Sequence, residues 1–476
     1  MKQNRFLLSL IFLLLINTIS FGQNIKLDKK LGKKNYETVK ASYKFTSDKA
    51  MNTYLNNVGQ RLVSNLDSAL FEYQFFIIND PIPNAFALPG GYIFITSGLV
   101  ILLKSEDELA GVIGHEIIHS NNRHSVRQIR KRILPTILTL PITILGAVTP
   151  GVGAITAPIN ATQSLLFASY SRKYETEADE LGVTLAAKSG YDPLALPKAL
   201  DRLMKAIEYL TGEKEKKNYF ADHPYTPTRD KRIKEISKNL EISKTEPISK
   251  HFLSEFNGIT YGYSPENGII QNNTFLNPNK DFRIKFPKYW NVLKNDTTIT
   301  AYSPHKDAAF SLSYDNSNLS GKEASKKYIN KLSKKQKKLI VNSGEYEINN
   351  TKAYIVNFQD IFLSDTTFAS IIWLPVGDNL YKISTMSDIE DNITISEILR
   401  SIRALNSDEK NAIKIQYISL VKARENETLE ELSKRTNNLI NPELTAIING
   451  LNIKQNLKKG QEIKIVLDKA YVKERN

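Results

Sequence analysis

The chain contains no cysteine. That absence excludes disulfides, cysteine–zinc sites, a thiol nucleophile and a lipid-modified N-terminal cysteine. No arginine-rich block and no interleaving of basic with aromatic residues appears, although the formal charge is +14. Nucleic acid is therefore not an expected partner. The excess charge comes mostly from scattered lysines. These fit general solubility or, in an exported protein, contact with anionic wall polymer or a membrane surface. An uninterrupted apolar span of about twenty residues, the length a membrane helix needs, is missing from the body of the chain. Its most apolar internal stretch, residues 133–167, is broken by Pro135, Pro141, Pro150 and Pro158. It is expected to form an apolar hairpin that covers a cleft or touches a membrane surface.

What the chain does have begins at its first residues. Lys2 and Arg5 precede an apolar core, Phe6 to Ile16, and Ser20 and Gly22 offer small residues at a cleavage point. Residues 1–22 thus read as a secretory signal, with a core short for a membrane anchor. The expected location is the periplasm, the cell envelope or outside the cell.

A chain of 476 residues should hold two to four domains. Residues 23–250 are helix-rich. Residues 265–405 carry short β-rich runs such as "DFRIKFPKYWNV" and "AYIVNFQD", with helices at "GKEASKKYINKLSKKQ" and "ISEILRSIRAL", an α+β pattern. Residues 412–468 read as strand, helix, helix, strand. Asn257–Asn273 and Asn406–Asn411 are polar and look like linkers. The expected fold is multidomain α+β: a mainly helical domain with a small sheet, an α+β domain, and a small βααβ module.

The chemistry concentrates in "GVIGHEIIHSNNRH", Gly111 to His124. Ser105 and Glu108 have capping-box spacing and mark a helix start. Leu109, Val112, Ile113 and Ile117 follow at helical spacing. His115 and His119 therefore share one face, and imidazoles at i and i+4 can bind one tetrahedral zinc ion. Glu116 can reach a water at that ion and act as general base. An ordinary helix carrying two histidines is the bland alternative. A catalytic zinc needs a third protein ligand and an open fourth position. His124 is close in sequence, but no glycine intervenes to turn the chain, so it reads as a surface or outer residue. "SRKYETEADELG" is the better source. Glu175 can bind the metal, and Asp179, one turn on, can accept a hydrogen bond from the far nitrogen of His115. Glu177 would project from the other side. Without the upstream motif, this would pass for an acidic solvated face.

Four motifs occur in order: "NAFALPGGYIFITSGLV", "ELAGVIGHEIIHSNNRHS", "SRKYETEADELG" and "DHPYTPTRDKRI". Together, over roughly residues 40–240, they resemble the minigluzincin group of zinc metalloendopeptidases, which includes HtpX, BepA, mitochondrial Oma-type and CAAX prenyl proteases. The resemblance implies one zinc ion held by His115, His119 and Glu175, with Glu116 as base. It implies that "YIFIT" is an edge strand to which an extended polypeptide substrate could pair. It also places His223 and Arg229 near the metal. They would stabilise the oxyanion, or His223 would occupy the open zinc position and hold the enzyme latent. A His-Pro turn packing a helix end is the structural alternative.

The α+β region resembles PsbP/Mog-like units, and it shows no catalytic cluster of titratable residues. Residues 412–468 resemble a LysM module, which implies binding to glycans such as peptidoglycan; a βααβ protein-interaction module is the alternative. The reading as a whole is an exported zinc endopeptidase acting on unfolded or misassembled envelope proteins. Its rival is a non-catalytic envelope-binding protein with a dormant or structural metal site.

Overall fold

The computed structural model describes residues 25–472 except 41–42, 129–169, 212–222, 224–226 and short stretches at 245, 247, 250, 263, 295–297, 305–307, 316, 363–364, 378 and 389–391. The signal over 1–22 and the apolar stretch 133–167 lie outside the described residues.

The first unit opens with helix α1 (25–40) and α2 (Lys49–Val63). Asp48 caps α2 by accepting from Met51 N at 3.0 Å. Strands β1 (Gln74–Ile78), β2 (Ala85–Leu88) and β3 (Tyr92–Thr96) form a sheet in the order β1-β3-β2. This corrects the expectation for "YIFIT". That segment is β3, the middle strand, parallel to β1 and antiparallel to β2. The cause is local: Gly90 and Gly91 take φ of +86° and +95°, which only glycine adopts readily. That turn folds β3 back on β2 and leaves its other side to β1. The edge nearest the next helix is therefore β2, whose four residues are all buried.

Among the described residues, four longer helices follow: α3 (Glu106–Asn121), α4 (Arg172–Lys188), α5 (Ala195–Thr211) and α6 (Pro227–Lys238). Their apolar faces share one core with α2 and the sheet, including Leu55, Ile95, Ile113, Ala178 and Leu200.

The second unit holds strands β4 (Ile269–Gln271), β5 (Thr274–Asn277) and β6 (Phe282–Lys285) as a small antiparallel sheet. A seven-stranded antiparallel sheet follows, in the order β10-β11-β12-β13-β9-β8-β7. Its strands are β7 (Asn291–Lys294), β8 (Thr298–Tyr302), β9 (Ala309–Tyr314), β10 (Ile340–Ile348), β11 (Thr351–Phe362), β12 (Asp365–Val376) and β13 (Asn379–Ser387). Helix α7 (Gly321–Lys331), fixed by a full Ser320–Glu323 capping box, packs on β11 and β12 through Ala324. Helix α8 (Asn392–Arg400) seats Ile395 and Ile398 in a separate core with Phe282, Phe310 and Ile383.

The last unit runs β14 (Lys414–Lys422), α9 (Leu429–Thr436), α10 (Pro442–Asn449) and β15 (Glu462–Ala470), with the two strands antiparallel. Leu429, Leu432 and Ile463 form its own small core. Ile418, Leu444, Ile448 and Val466 instead join the core of the first unit, so this βααβ unit is docked rather than tethered. The Lys464 amine, buried, donates to the Leu103 carbonyl at 2.6 Å.

Both segments read as linkers are structured. Residues 258–261 pair with the outer edge of β14, with Ile418 N donating to Ile259 O at 2.9 Å and Tyr261 N to Gln416 O at 2.9 Å. A two-stranded sheet leaves that edge unsatisfied, and the passing chain fills it. Ser407–Ala412 is a capped helical turn whose Glu409 accepts from Arg283 and Arg403.

Candidate metal centre

Helix α3 is buried along most of its length, including His115, Glu116 and His119. Ser105 starts it by accepting from Glu108 N at 3.2 Å. The returning half of the capping box is not made. The Glu108 carboxylate turns instead to Lys104 N at 2.7 Å and to Arg202 at 2.7 and 3.0 Å. The cap thereby ties α3 to α5. Glu106, Asp107 and Glu108 in the first turn complement the helix dipole.

Helix α4 lies against α3 at close range. A Cβ added to Gly182 would sit 3.0 Å from His115 N and Cα, and one added to Gly114 would sit 3.1 Å from Gly182 O. Two glycines thus let the backbones approach where the ligand-bearing turns face each other. The motif spacing did not identify this contact; Gly114 and Gly182 were the available signal.

The approach brings four side chains to one point. His115 Nε2 and His119 Nε2 are 3.0 Å apart. Glu175 Oε1 lies 3.3 Å from His119 Nε2, and Oε2 lies 3.7 Å from His115 Nε2. His223 Nδ1 lies 3.2 Å from His115 Nε2 and 3.0 Å from Glu175 Oε1. One atom from each of His115, His119, Glu175 and His223 falls within 4.8 Å of the others, and all four residues are buried. Three imidazoles and a carboxylate form a donor set suited to zinc.

Glu116 adjoins this group. It is fully buried, and neither carboxylate oxygen has a hydrogen-bond partner among the described residues. Its Oε1 is 3.6 Å from His223 Nε2. Burial pushes its carboxyl above the usual range, against the pull of His223 and His115.

Asp179 Oδ1 lies 3.1 Å from His115 Nδ1, within reach but poorly aligned for a hydrogen bond. Arg229 donates from Nε and Nη2 to Asp179 at 2.5 and 2.8 Å. Its Nη1 meets Glu175 Oε2 at 2.8 Å and the His223 carbonyl at 3.2 Å. The structure thus turns the Arg229 guanidinium toward two carboxylates and a carbonyl. His124 is not a surface residue; it is fully buried, with Nδ1 3.0 Å from His119 Nδ1. Glu177 projects to that side, 3.5 Å from His124 Nε2.

The charges are coupled. Burial alone would raise Glu175, yet His223 and Arg229 hold it well below the usual carboxylate range. Burial opposes the charged form of His223, but Glu175 and Glu116 lift it to about 9. Burial holds His119 well below the ordinary imidazole range.

A buried helix bearing two i, i+4 histidines and a glutamate, with a carboxylate from α4 brought to the same point, is an arrangement that could hold one metal ion. The sequence comparisons agree: residues 49–238 match Peptidase family M48. The Beta-barrel assembly-enhancing protease of Escherichia coli K12 is 32% identical over 199 residues, 40% of this chain and 40% of that protein. The Mitochondrial metalloendopeptidase OMA1 of Schizosaccharomyces pombe is 31% identical over 225 residues, 46% of this chain and 64% of that protein. The namesake from Arabidopsis thaliana is 37% identical over 161 residues, 33% of this chain and 30% of that protein. The chain spans about two fifths of the length of its bacterial relatives.

Proposed function

We propose that the chain is an exported zinc-dependent metalloendopeptidase that cleaves unfolded or misassembled envelope proteins. The observation that carries this reading is Glu116, a buried carboxylate without a hydrogen-bond partner beside His115, His119 and Glu175. A structural zinc site has no use for such a group. The M48 match and relatives named as proteases support the same chemistry.

His115, His119 and Glu175 would hold the ion, which supplies Lewis-acid polarisation of the scissile carbonyl and the attacking water. Glu116 takes a proton from that water and returns it to the leaving amine. Its raised affinity for the proton suits both directions of transfer. Asp179 orients His115. Arg229 acts as a positioning residue that fixes Glu175 and Asp179, in place of the oxyanion role read from its motif.

The rival reading, a dormant or structural metal site, has one observation in its favour: His223 completes a four-donor set. We read His223 as a latch on a catalytic site. Glu116→Gln should retain zinc and lose casein cleavage by about 10²–10⁴-fold. His223→Ala should keep zinc and raise basal cleavage. Zinc retention in both variants with no casein cleavage by wild type or His223→Ala would establish the rival reading. The last unit is proposed to bind peptidoglycan, and residues 133–167 to contact a membrane surface. Among the described residues, no helix is long and apolar enough to cross a membrane.

A further inference from the structure

We infer that His124 is a positioning residue of the metal centre: it fixes the tautomer of His119 that leaves Nε2 available to the metal. The inference rests on the zinc reading above and concerns a residue outside the ligand set.

In a continuous helix, five residues rotate a side chain by about 500°, which would carry His124 well away from the His119 face. The chain is not continuous there. Helix α3 ends at Asn121, and Arg123 takes φ of +57°, a left-handed conformation unfavourable for a non-glycine residue. The departure is anchored. The Arg123 guanidinium donates from Nε and Nη2 to the two oxygens of Asp28 at 3.1 and 2.7 Å, and Asp28 is fully buried. The reversal folds His124 back onto His119. Its ring stacks on Tyr174 at 4.5 Å and 14°.

The proton inventory follows from the geometry. For His119 Nε2 to serve as a ligand, its proton must sit on Nδ1. That nitrogen faces His124 Nδ1 at 3.0 Å. His124 Nδ1 must then accept, so its proton sits on Nε2, toward Glu177 Oε2 at 3.5 Å. Asn122 Nδ2 donates to Glu177 Oε1 at 2.7 Å and holds that carboxylate in place. Ligand histidines commonly pass their second N–H to a carboxylate, carbonyl or water. Here His115 has Asp179 nearby, whereas His119 faces an imidazole whose Nε2 lies 3.5 Å from the Glu177 carboxylate, close but not aligned for a hydrogen bond. His124 is not itself a ligand, because it addresses the nitrogen of His119 that faces away from the four-donor point.

The test uses the full chain, stripped of metal and titrated with zinc against a chelating dye. His124→Leu removes the acceptor. His124→Asn keeps an oxygen near the Nδ1 position, and His124→Gln moves its polar atoms toward the Nε2 position. Leu and Gln should weaken zinc binding by about 10–100-fold, the range for outer-shell partners of ligand histidines. Asn should recover most of the loss, with metal-free melting unchanged between Asn and Gln. Zinc binding at the wild-type level in Leu or Gln overturns the inference. So does an Asn variant as weak as Gln. If Leu does not fold, the Asn–Gln comparison decides alone. Failure of the wild type to bind zinc would instead overturn the metalloprotease reading.

Discussion

Gly182→Ala is a one-carbon test of how the two ligand-bearing helices are held. Gly182 is two turns along α4 from Glu175, and its new Cβ would stand 3.0 Å from the backbone N and Cα of His115 and 3.3 Å from Gly114 C. Those neighbours are helical backbone and cannot rotate away. Helix α4 must recede by a few tenths of an ångström. Overpacking of this kind costs roughly 1–3 kcal/mol, and the better helix propensity of alanine offsets about 1 kcal/mol. The net loss is about 0–2 kcal/mol, or a fall of up to about 8 °C in melting temperature for a domain of this size. The metal should suffer more than the fold, because ligand distances must hold to about 0.2 Å. Zinc affinity is expected to fall at least about tenfold, read by competition with a chelating dye beside a melting curve. Leu181→Ala, at a residue 43% exposed, is the control. A Gly182→Ala protein that melts higher than wild type and binds zinc equally well would refute the close-approach argument.

Lys464 supplies a pH test of the docked unit. Burial holds its amine well below the ordinary lysine range, while the unfolded chain titrates near about 10.4. Between those two values the unfolded state binds more protons, so stability should rise with pH across that window, by up to about 1.4 kcal/mol per unit. Lys464→Met should flatten that rise in urea unfolding followed from about pH 7 to pH 10; equal slopes would refute the burial argument. A fragment of residues 412–470 should associate or unfold at low urea, because Leu444, Ile448 and Val466 lose the core they share; a monomer as stable as the full chain contradicts this. Full-chain retention on peptidoglycan should survive high salt and yield to chitin oligomers; loss with salt alone would mark attraction of lysines to anionic polymer.

The spacing of His115, Glu116 and His119 on an apolar-periodic run was readable because a helix converts sequence distance into a shared face. Glu175 and Asp179 were readable as one face of another helix, and the structure brings that face to His115. The depth of the approach depends on Gly114 and Gly182, which a motif search treats as filler. Strand order was not legible. Alternation in "YIFIT" is the same in a middle strand as at an edge, and only the Pro89-Gly90-Gly91 turn hinted that one side was taken. For His124 the surface and outer alternatives stayed open, because the reversal that turns it onto His119 occurs at Arg123, a residue with no intrinsic preference for the left-handed region. Likewise, the apolar positions Leu444, Ile447 and Ile448 lie on α10 of the small βααβ unit. In the structure they face the first unit, a choice that only the presence of a neighbouring apolar surface could decide.

The four-donor set and the buried base are better reconciled by a latched enzyme than by a structural zinc site. His115, His119 and Glu175 ride on α3 and α4, two helices fixed by shared core and by Gly114 against Gly182. His223 belongs to no helix or strand. Its carbonyl is held by Arg229, the same residue that fixes Glu175 and Asp179. Three donors are therefore built into helices α3 and α4, and the fourth comes from a residue that lies in no helix or strand. A buried carboxylate with no hydrogen bond costs stability, and proteins retain such groups chiefly where chemistry uses them. Glu116 would be an expense without return in a permanently closed site. On the proposed latch, withdrawal of His223 would open the position that a carbonyl and a water need, and Glu116 Oε1 stands 3.6 Å from His223 Nε2.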